Sequence, residues 1–349
     1  MDISQTQANL QRLITKAVDN KKIFGVSASA EKGGSSITFL GSAGNLDSES
    51  QYFIASTTKL FITSIVMKLR QEGKLSLDDP VSKFMDHQIM QNLLVFKGIG
   101  YGGEITVRQL LAHTSGLPDY FQQASEGGKS LQDEMTLGKD QAWTFEQIIH
   151  KVKKMRPTFK PGEPGKALYS DTNYQILGRM IETITGKKIS SVLVEYIFDP
   201  LGLKRTYLYE QSDDTAPATM YFKTKPLPSP LAMTSFGPDG GIVSTSGELM
   251  IFIKAFFKGE LFPREYFDEM MRWNKIFFPL EYGVGVARFK LPRLFSPLKA
   301  MPELLGHSGL SGAFAFYSPE KDVYLTGTVN QIHPPDLSFR LMLQLLNQF

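Results

Sequence analysis

The 349-residue chain contains no cysteine. That absence excludes disulfides, thiolate metal sites and a cysteine nucleophile, yet it fits an exported protein as well as a cytosolic one. Long hydrophobic runs are missing too, since no apolar stretch approaches the roughly 20 residues that span a bilayer. The formal net charge is only +3, and no lysine or arginine cluster is interleaved with aromatics, so no nucleic-acid partner is expected. The densest basic run, Lys151-Val-Lys-Lys-Met-Arg156, reads as the solvated face of a helix ending before Pro157. None of the five histidines is spaced as His-Glu-x-x-His, and no phosphate-binding glycine loop occurs, so neither a metal nor a cofactor is expected. The first residues lack the basic region and apolar core of a secretory leader, which points to a cytoplasmic protein and leaves an exported mature form open. The sequence assigns no oligomeric state.

What is present is an ordinary globular composition, 42% hydrophobic and 21% charged, on a chain longer than a single core usually needs. A helical pattern at Ala8–Val18 precedes two strand-like runs, Gly25–Glu31 and Ser36–Leu40, joined across Gly33-Gly34-Ser35. At the other end, Ala313–Tyr317 and Val323–Val329 flank a Ser318-Pro-Glu-Lys-Asp322 turn, and Leu337–Phe349 reads as a closing helix. These ends predict an α/β (α+β) fold: an antiparallel sheet built from both chain ends, flanked by the terminal helices, with an inserted, mostly helical lobe. The expected sub-lobes of this single catalytic unit are 1–77 plus 231–349 and 78–230. Helices are expected in the insertion at Val107–Ala112, Thr144–Lys154, Tyr174–Thr185 and Ile189–Phe198.

Four Ser-x-x-Lys pairs occur: Ser29/Lys32, Ser56/Lys59, Ser296/Lys299 and Ser318/Lys321. On a helix this spacing puts both side chains on one face, where a lysine kept neutral by burial and neighbouring charge can take a serine proton. Ser29 lies in an alternating strand pattern, which sends its lysine to the opposite face. Ser296 and Ser318 are each followed by proline and read as turns. Only Ser56 opens an apolar helical run. Farther on, Tyr169-Ser-Asp171 forms a short turn before an amphipathic helix, and a tyrosine there can share a proton with a serine. His307-Ser308-Gly309 starts an edge-like strand in which Gly309 leaves room for a substrate backbone.

Together and in this order, these segments resemble the serine β-lactamase and penicillin-recognising superfamily, in particular its class C-like branch. That branch includes D-alanyl-D-alanine carboxypeptidases, D-amino-acid peptidases and family VIII carboxylesterases. Leu110–Tyr120, Gly237–Gly247 and Tyr282-Gly-Val-Gly285 look similar as well. The resemblance implies Ser56 as acylated nucleophile, Lys59 and Tyr169 as a coupled proton-transfer pair, and the backbone N–H groups of Ser56 and Leu310 as the oxyanion hole. It implies substrate contacts from Asp171, His307, Ser308 and Gly309. Two departures bear on the substrate. His307 stands where many β-lactamases carry a lysine, which weakens carboxylate recognition or makes it pH-dependent. Asp171 replaces the amide of a Tyr-x-Asn pattern; an ionised carboxylate only accepts, which favours a substrate offering an amine or N–H. Asn173 compensates only if the turn differs. Aromatics between Trp273 and Pro297 (Phe277, Phe278, Tyr282, Phe289 and Phe295) border the cleft by the same resemblance. The expected function is therefore a serine hydrolase of peptide, amide or ester bonds, with D-amino-acid peptides or small esters as substrates ahead of β-lactams. A non-catalytic binding or sensor member of the same fold is the alternative. An α/β-hydrolase is disfavoured, since no Gly-x-Ser-x-Gly elbow occurs.

Overall fold

A computed structural model describes residues 2–125, 127–291 and 301–349. The Ser296/Lys299 pair and Phe295 lie outside the described residues. Strands β1 (Gly25–Lys32) and β2 (Thr38–Gly44) come from one end of the chain. From the other come β3 (Asn274–Phe277), β4 (Leu280–Tyr282), β5 (Ala287–Phe289), β6 (Leu304–Ser308), β7 (Ala313–Ser318) and β8 (Val323–Thr328). They form one antiparallel sheet in the order β3-β4-β5-β6-β7-β8-β1-β2. The two ends meet where β1 pairs with β8, from Ser27 opposite Thr328 to Lys32 opposite Val323. The second strand starts two residues later than its sequence suggests, because the Lys32 N–H donates to Ile37 O and closes the turn there.

Five helices organise the packing: α1 (Ile3–Ala17), α2 (Thr58–Gln71), α3 (Asp171–Thr185), α4 (Ser246–Lys258) and α5 (Leu337–Leu346). Both terminal helices lie on one face of the sheet, where Leu10, Ile14, Leu341 and Leu345 bury against Val26, Phe314, Phe316 and Leu325. α4 covers the other face. Buried on both sides, β1 is made of small residues. Ala28 and Ala30 face the terminal helices, while the Ser27 hydroxyl bonds Ser246 Oγ at 2.8 Å and the Ser29 hydroxyl donates to Phe39 O at 2.9 Å. Ser29 is thus a strand residue, as its alternation predicts.

Residues 78–230 add no strand to the large sheet. Their helices include Val107–Leu111, Phe145–Lys154 and Ile189–Leu193. The last is shorter than expected: from Val194 to Phe198 the chain widens into a π-turn just before Pro200, which has no N–H to give to the helical ladder. Every residue of α2 from Thr58 to Met67 is buried, Leu60, Phe61, Ile62, Ile65 and Val66 fully so, and the helix runs through the interior rather than over the surface. Among the described residues no helix is long and apolar enough to cross a membrane.

If docking of the terminal helix depends on this packing, Leu345→Ala will lower stability by about 2–5 kcal/mol, read as the shift of the denaturant midpoint. A loss below about 1 kcal/mol would show that the helix contributes little to sheet closure.

Candidate active site

Ser56 sits in a single 3₁₀ turn, Ala55–Thr57, that feeds α2. Ala55 before it has φ of 45°, a left-handed conformation that is rare for a residue with a side chain and that turns the chain sharply just before Ser56. A second segment braces this corner. The Ser311 hydroxyl donates to Phe53 O at 2.6 Å, and Gly309 lies so close that a Cβ there would come within 2.2 Å of Ile54 O. The glycine reserves space for the protein's own backbone at Ile54. The Gly309 N–H donates to Ala313 O and the Gly312 N–H to Gly309 O, which makes a tight turn with Leu310 near its tip. Leu310 and Ser56 line the same cavity.

Lys59, one turn into α2, is fully buried. Its Nζ donates to Asp171 Oδ1 at 2.6 Å, to the Asp239 carbonyl at 2.7 Å and to Ser56 Oγ at 3.2 Å. Burial opposes its charge, but the neighbouring Asp171, Tyr169 and Asp239 outweigh that penalty and raise its pKa above the ordinary lysine value. The neutral lysine expected from the sequence is thus corrected: Lys59 rests as an ion-paired cation. Asp171, expected to face substrate, spends one carboxylate oxygen on this pair and also lines the cavity.

Two loops hold α3 in place. The Ser170 N–H donates to His113 Nδ1 at 3.1 Å, and the Ser170 and Thr172 hydroxyls donate to Pro118 O. The Asp171 N–H donates to Asp119 Oδ2, whose other oxygen accepts from Phe121 and Gln122 N–H. Asn173 is fully buried, its Oδ1 taken by the Ser115 hydroxyl at 2.7 Å and its Nδ2 beside His113 Nδ1, so it cannot replace the missing amide at position 171. Asp239 Oδ2 accepts from Tyr120 Oη at 2.8 Å and Gln175 Nε2 at 3.0 Å. Burial and the nearby Asp171 charge push the Asp239 carboxyl well above its usual range and lift Asp119 to about 7.

Tyr169 stacks on His113 with ring centroids 4.4 Å apart, and Lys59 Nζ lies 5.1 Å from its ring. Burial raises the phenol's pKa, while Lys59 and Ser56 are near enough to ease its ionisation. Its Oη nevertheless forms no hydrogen bond among the described residues. The three groups expected to move protons, Ser56, Lys59 and Tyr169, are therefore gathered at one place.

His307 differs from expectation. β6 is an interior strand, paired with both β5 and β7; only beyond Gly306 does its β5 side lack a partner. The ring is buried, with Nδ1 donating to Ser308 O at 2.7 Å and Nε2 accepting from Tyr282 Oη at 3.0 Å. Burial, then the Lys59 charge, depress its pKa to about 3. It is a neutral ring with both nitrogens engaged and cannot act as a cation for a substrate carboxylate. Tyr282, the donor to that ring, and Phe289 are core residues, whereas Phe277 and Phe278 are exposed, with Phe277 edge-on to Tyr169 at 6.2 Å.

Ser56, Asp171, Asp239 and Leu310 line one cavity, with Phe121 and Met233 among its apolar walls. A model of the Beta-lactamase family matches residues 10–347. The chain belongs to the beta-lactamase family. It is 24% identical to a putative D-alanyl-D-alanine carboxypeptidase of Escherichia coli (strain K12) over 320 residues, covering 81% of this chain and 70% of that protein. It is 33% identical to protein flp of Staphylococcus aureus (strain MW2) over 159 residues, 45% of this chain but only 28% of flp. A crystal structure of a D-stereospecific amidohydrolase from Streptomyces sp. superposes with a TM-score of 0.78 at 27% identity, covering 96% of this chain and 97% of that one. The chain thus has the mixed α/β fold of a family of hydrolases. Asp119, Asp239 and His113 were not legible as site residues. The signal available was their place in two of the family-like segments, Leu110–Tyr120 and Gly237–Gly247, where an acid stands beside proline or glycine.

Two outcomes test this electrostatic arrangement. A histidine held neutral binds fewer protons folded than unfolded between about pH 6.5 and 3, so stability falls as pH drops through that window. The full effect is on the order of 4–5 kcal/mol, and His307→Gln, which keeps an acceptor for Tyr282, will flatten the acid side of a stability–pH curve. Lys59→Met will leave Asp171 buried without its cation and cost about 3–5 kcal/mol, whereas Lys59→Met combined with Asp171→Leu will recover most of that loss. Both are measured by denaturant unfolding.

Proposed function

We propose that the protein is a serine hydrolase that cleaves amide, peptide or ester bonds through an acyl-enzyme on Ser56, with small D-amino-acid derivatives as its substrates. The observation that carries this reading is Ser56 on the wall of an apolar cavity, its hydroxyl bonded to the buried Lys59 ammonium, with the Tyr169 ring 5.1 Å from that ammonium. A scaffold that only binds a ligand has no use for a serine hydrogen-bonded to a buried lysine. Ser56 and Leu310 come from the segments assigned to 1–77 plus 231–349, and Tyr169, Asp171 and Phe121 from 78–230, so the cleft is read as lying between those two lobes.

In the proposed cycle the Ser56 oxygen attacks the substrate carbonyl, and the N–H groups of Ser56 and Leu310 receive the developing oxyanion. Removing one such donor typically costs about 3 kcal/mol of barrier. The Ser56 proton passes into the Lys59–Tyr169 pair, which then protonates the leaving group; water repeats the sequence to free the enzyme. D-amino-acid substrates are favoured by the similarity to a D-stereospecific amidohydrolase and a putative D-alanyl-D-alanine carboxypeptidase. β-Lactam turnover is placed second, because Asp171 offers no amide donor and His307 no cation.

Intact-mass spectrometry of wild type and Ser56→Ala, after mixing with a p-nitrophenyl ester, a D-alanyl-D-alanine peptide and a chromogenic cephalosporin, tests this reading. The expected result is a transient adduct and turnover with the ester or peptide in wild type alone. A folded wild type that neither forms an adduct nor turns over any of them would support the binding-scaffold alternative.

The pH profile provides a second test. Lys59 and Tyr169 both have raised pKa values, so at neutral pH the pair holds one proton more than a general base can carry. kcat/KM is expected to rise with pH, close to tenfold per unit from pH 6 into the alkaline range. A plateau already reached below pH 7 would overturn this reading of the pair.

A further inference from the structure

The cavity contains a buried acceptor that the proposed chemistry does not use. Asp239 is 1% exposed and lines the cavity that holds Ser56. Its main-chain oxygen accepts from Lys59 and its Oδ2 from Tyr120 and Gln175, whereas Oδ1 is buried with no hydrogen-bond partner. A carboxyl oxygen left unmatched in an apolar surround is costly, and such groups are normally paired. The remaining walls, among them Phe121, Met135, Met220 and Phe236, offer it no cation. Asp171, the other acid at this wall, has one oxygen committed to Lys59 and so already holds a counter-charge.

We propose that Asp239 Oδ1 is a recognition site for a primary ammonium group on the acyl part of the substrate, so that the enzyme prefers α-amino acyl amides and esters over their des-amino counterparts. This rests on the hydrolase reading above. Proximity to Ser56 suggests the class of ligand. Asp239 O and Ser56 Oγ are bonded to the same Lys59 Nζ, at 2.7 Å and 3.2 Å, so an acyl carbonyl at Ser56 lies close to the Asp239 residue. An amine on the carbon next to that carbonyl, as in an α-amino acid, is the nearest cation such a substrate can offer. The apolar walls then receive its side chain. Burial beside Asp171 keeps the free Asp239 carboxyl biased to its neutral form, and an incoming ammonium supplies the missing counter-charge.

Three measurements test the proposal. Calorimetric binding to Ser56→Ala compares phenylalanine amide, in both configurations, with 3-phenylpropanamide and needs no turnover; the preferred amino amide is expected to bind at least tenfold more tightly. Hydrolysis by wild type compares phenylalanine methyl ester with methyl 3-phenylpropionate and is expected to show a kcat/KM ratio of at least ten, carried mainly by KM. In Asp239→Asn, whose amide can still accept from Tyr120 and Gln175, that ratio is expected to fall towards one. Equal binding of amino and des-amino amides, or an equal loss on both esters in Asp239→Asn, would overturn the proposal. Should Asp239→Asn fail to fold, the Ser56→Ala binding comparison decides alone. Failure of the hydrolase reading is distinguishable, since it appears as no Ser56-dependent turnover of either ester, whatever the amides show in binding.

Discussion

The buried ion pair between Lys59 and Asp171 is the constraint on which the site depends. α2 is enclosed on all sides, so Lys59 cannot extend its ammonium to water as a surface lysine does. An unpaired charge there would be prohibitively costly, and the fold meets the demand with one carboxylate and one main-chain carbonyl. Those two acceptors come from different parts of the chain, the start of α3 and the turn at Asp239. One ammonium therefore fastens three segments and, with its remaining hydrogen bond, orients the Ser56 hydroxyl.

The same charge accounts for the character of the groups around it. His113 and His307 are both buried and both kept from ionising, first by the loss of water and then by the Lys59 cation. The tyrosines that pack on them, Tyr169 and Tyr282, are likewise held as neutral phenols. The polar lining is thus extensive but carries little charge beyond the lysine and its carboxylate partner Asp171. In such a low-dielectric setting, a change in the proton content of one group is felt strongly by the others. Treating Lys59 and Tyr169 as one titrating unit follows from this coupling.

Much of this was legible from the sequence, for identifiable reasons. The sheet assembled from both chain ends could be read because β1, β7 and β8 have strong local patterns ending at glycine or proline turns. Ser56 could be separated from Ser29 and Ser318 because helix, strand and turn signals differ at each. The state of Lys59 could not be read this way, since spacing shows which groups share a face but not what lies on the far side of the helix. Asp171 and Asp239 are 112 and 180 positions away from it. His307 was misjudged for a related reason: strand β6 begins and ends with local signals, but whether it is an edge depends on β5, and the occupation of the imidazole depends on Tyr282 from β4.

Asp171 also marks where this chain differs from the Tyr-x-Asn pattern that its Tyr169-Ser-Asp resembles. A neutral amide beside Lys59 would leave the ammonium with dipoles alone as partners, so burial would drive its pKa down and favour the free amine. A carboxylate at 2.6 Å reverses that balance. The substitution therefore does more than exchange a donor for an acceptor at the cavity wall. It makes the resting site a matched ion pair, so that the lysine must give up a proton before it can accept one from Ser56. It also raises the pKa of Asp239, whose buried carboxyl is crowded by the Asp171 charge. A single change from amide to acid thus connects the protonation state of the Lys59–Tyr169 pair with the charge that the neighbouring cavity can accommodate.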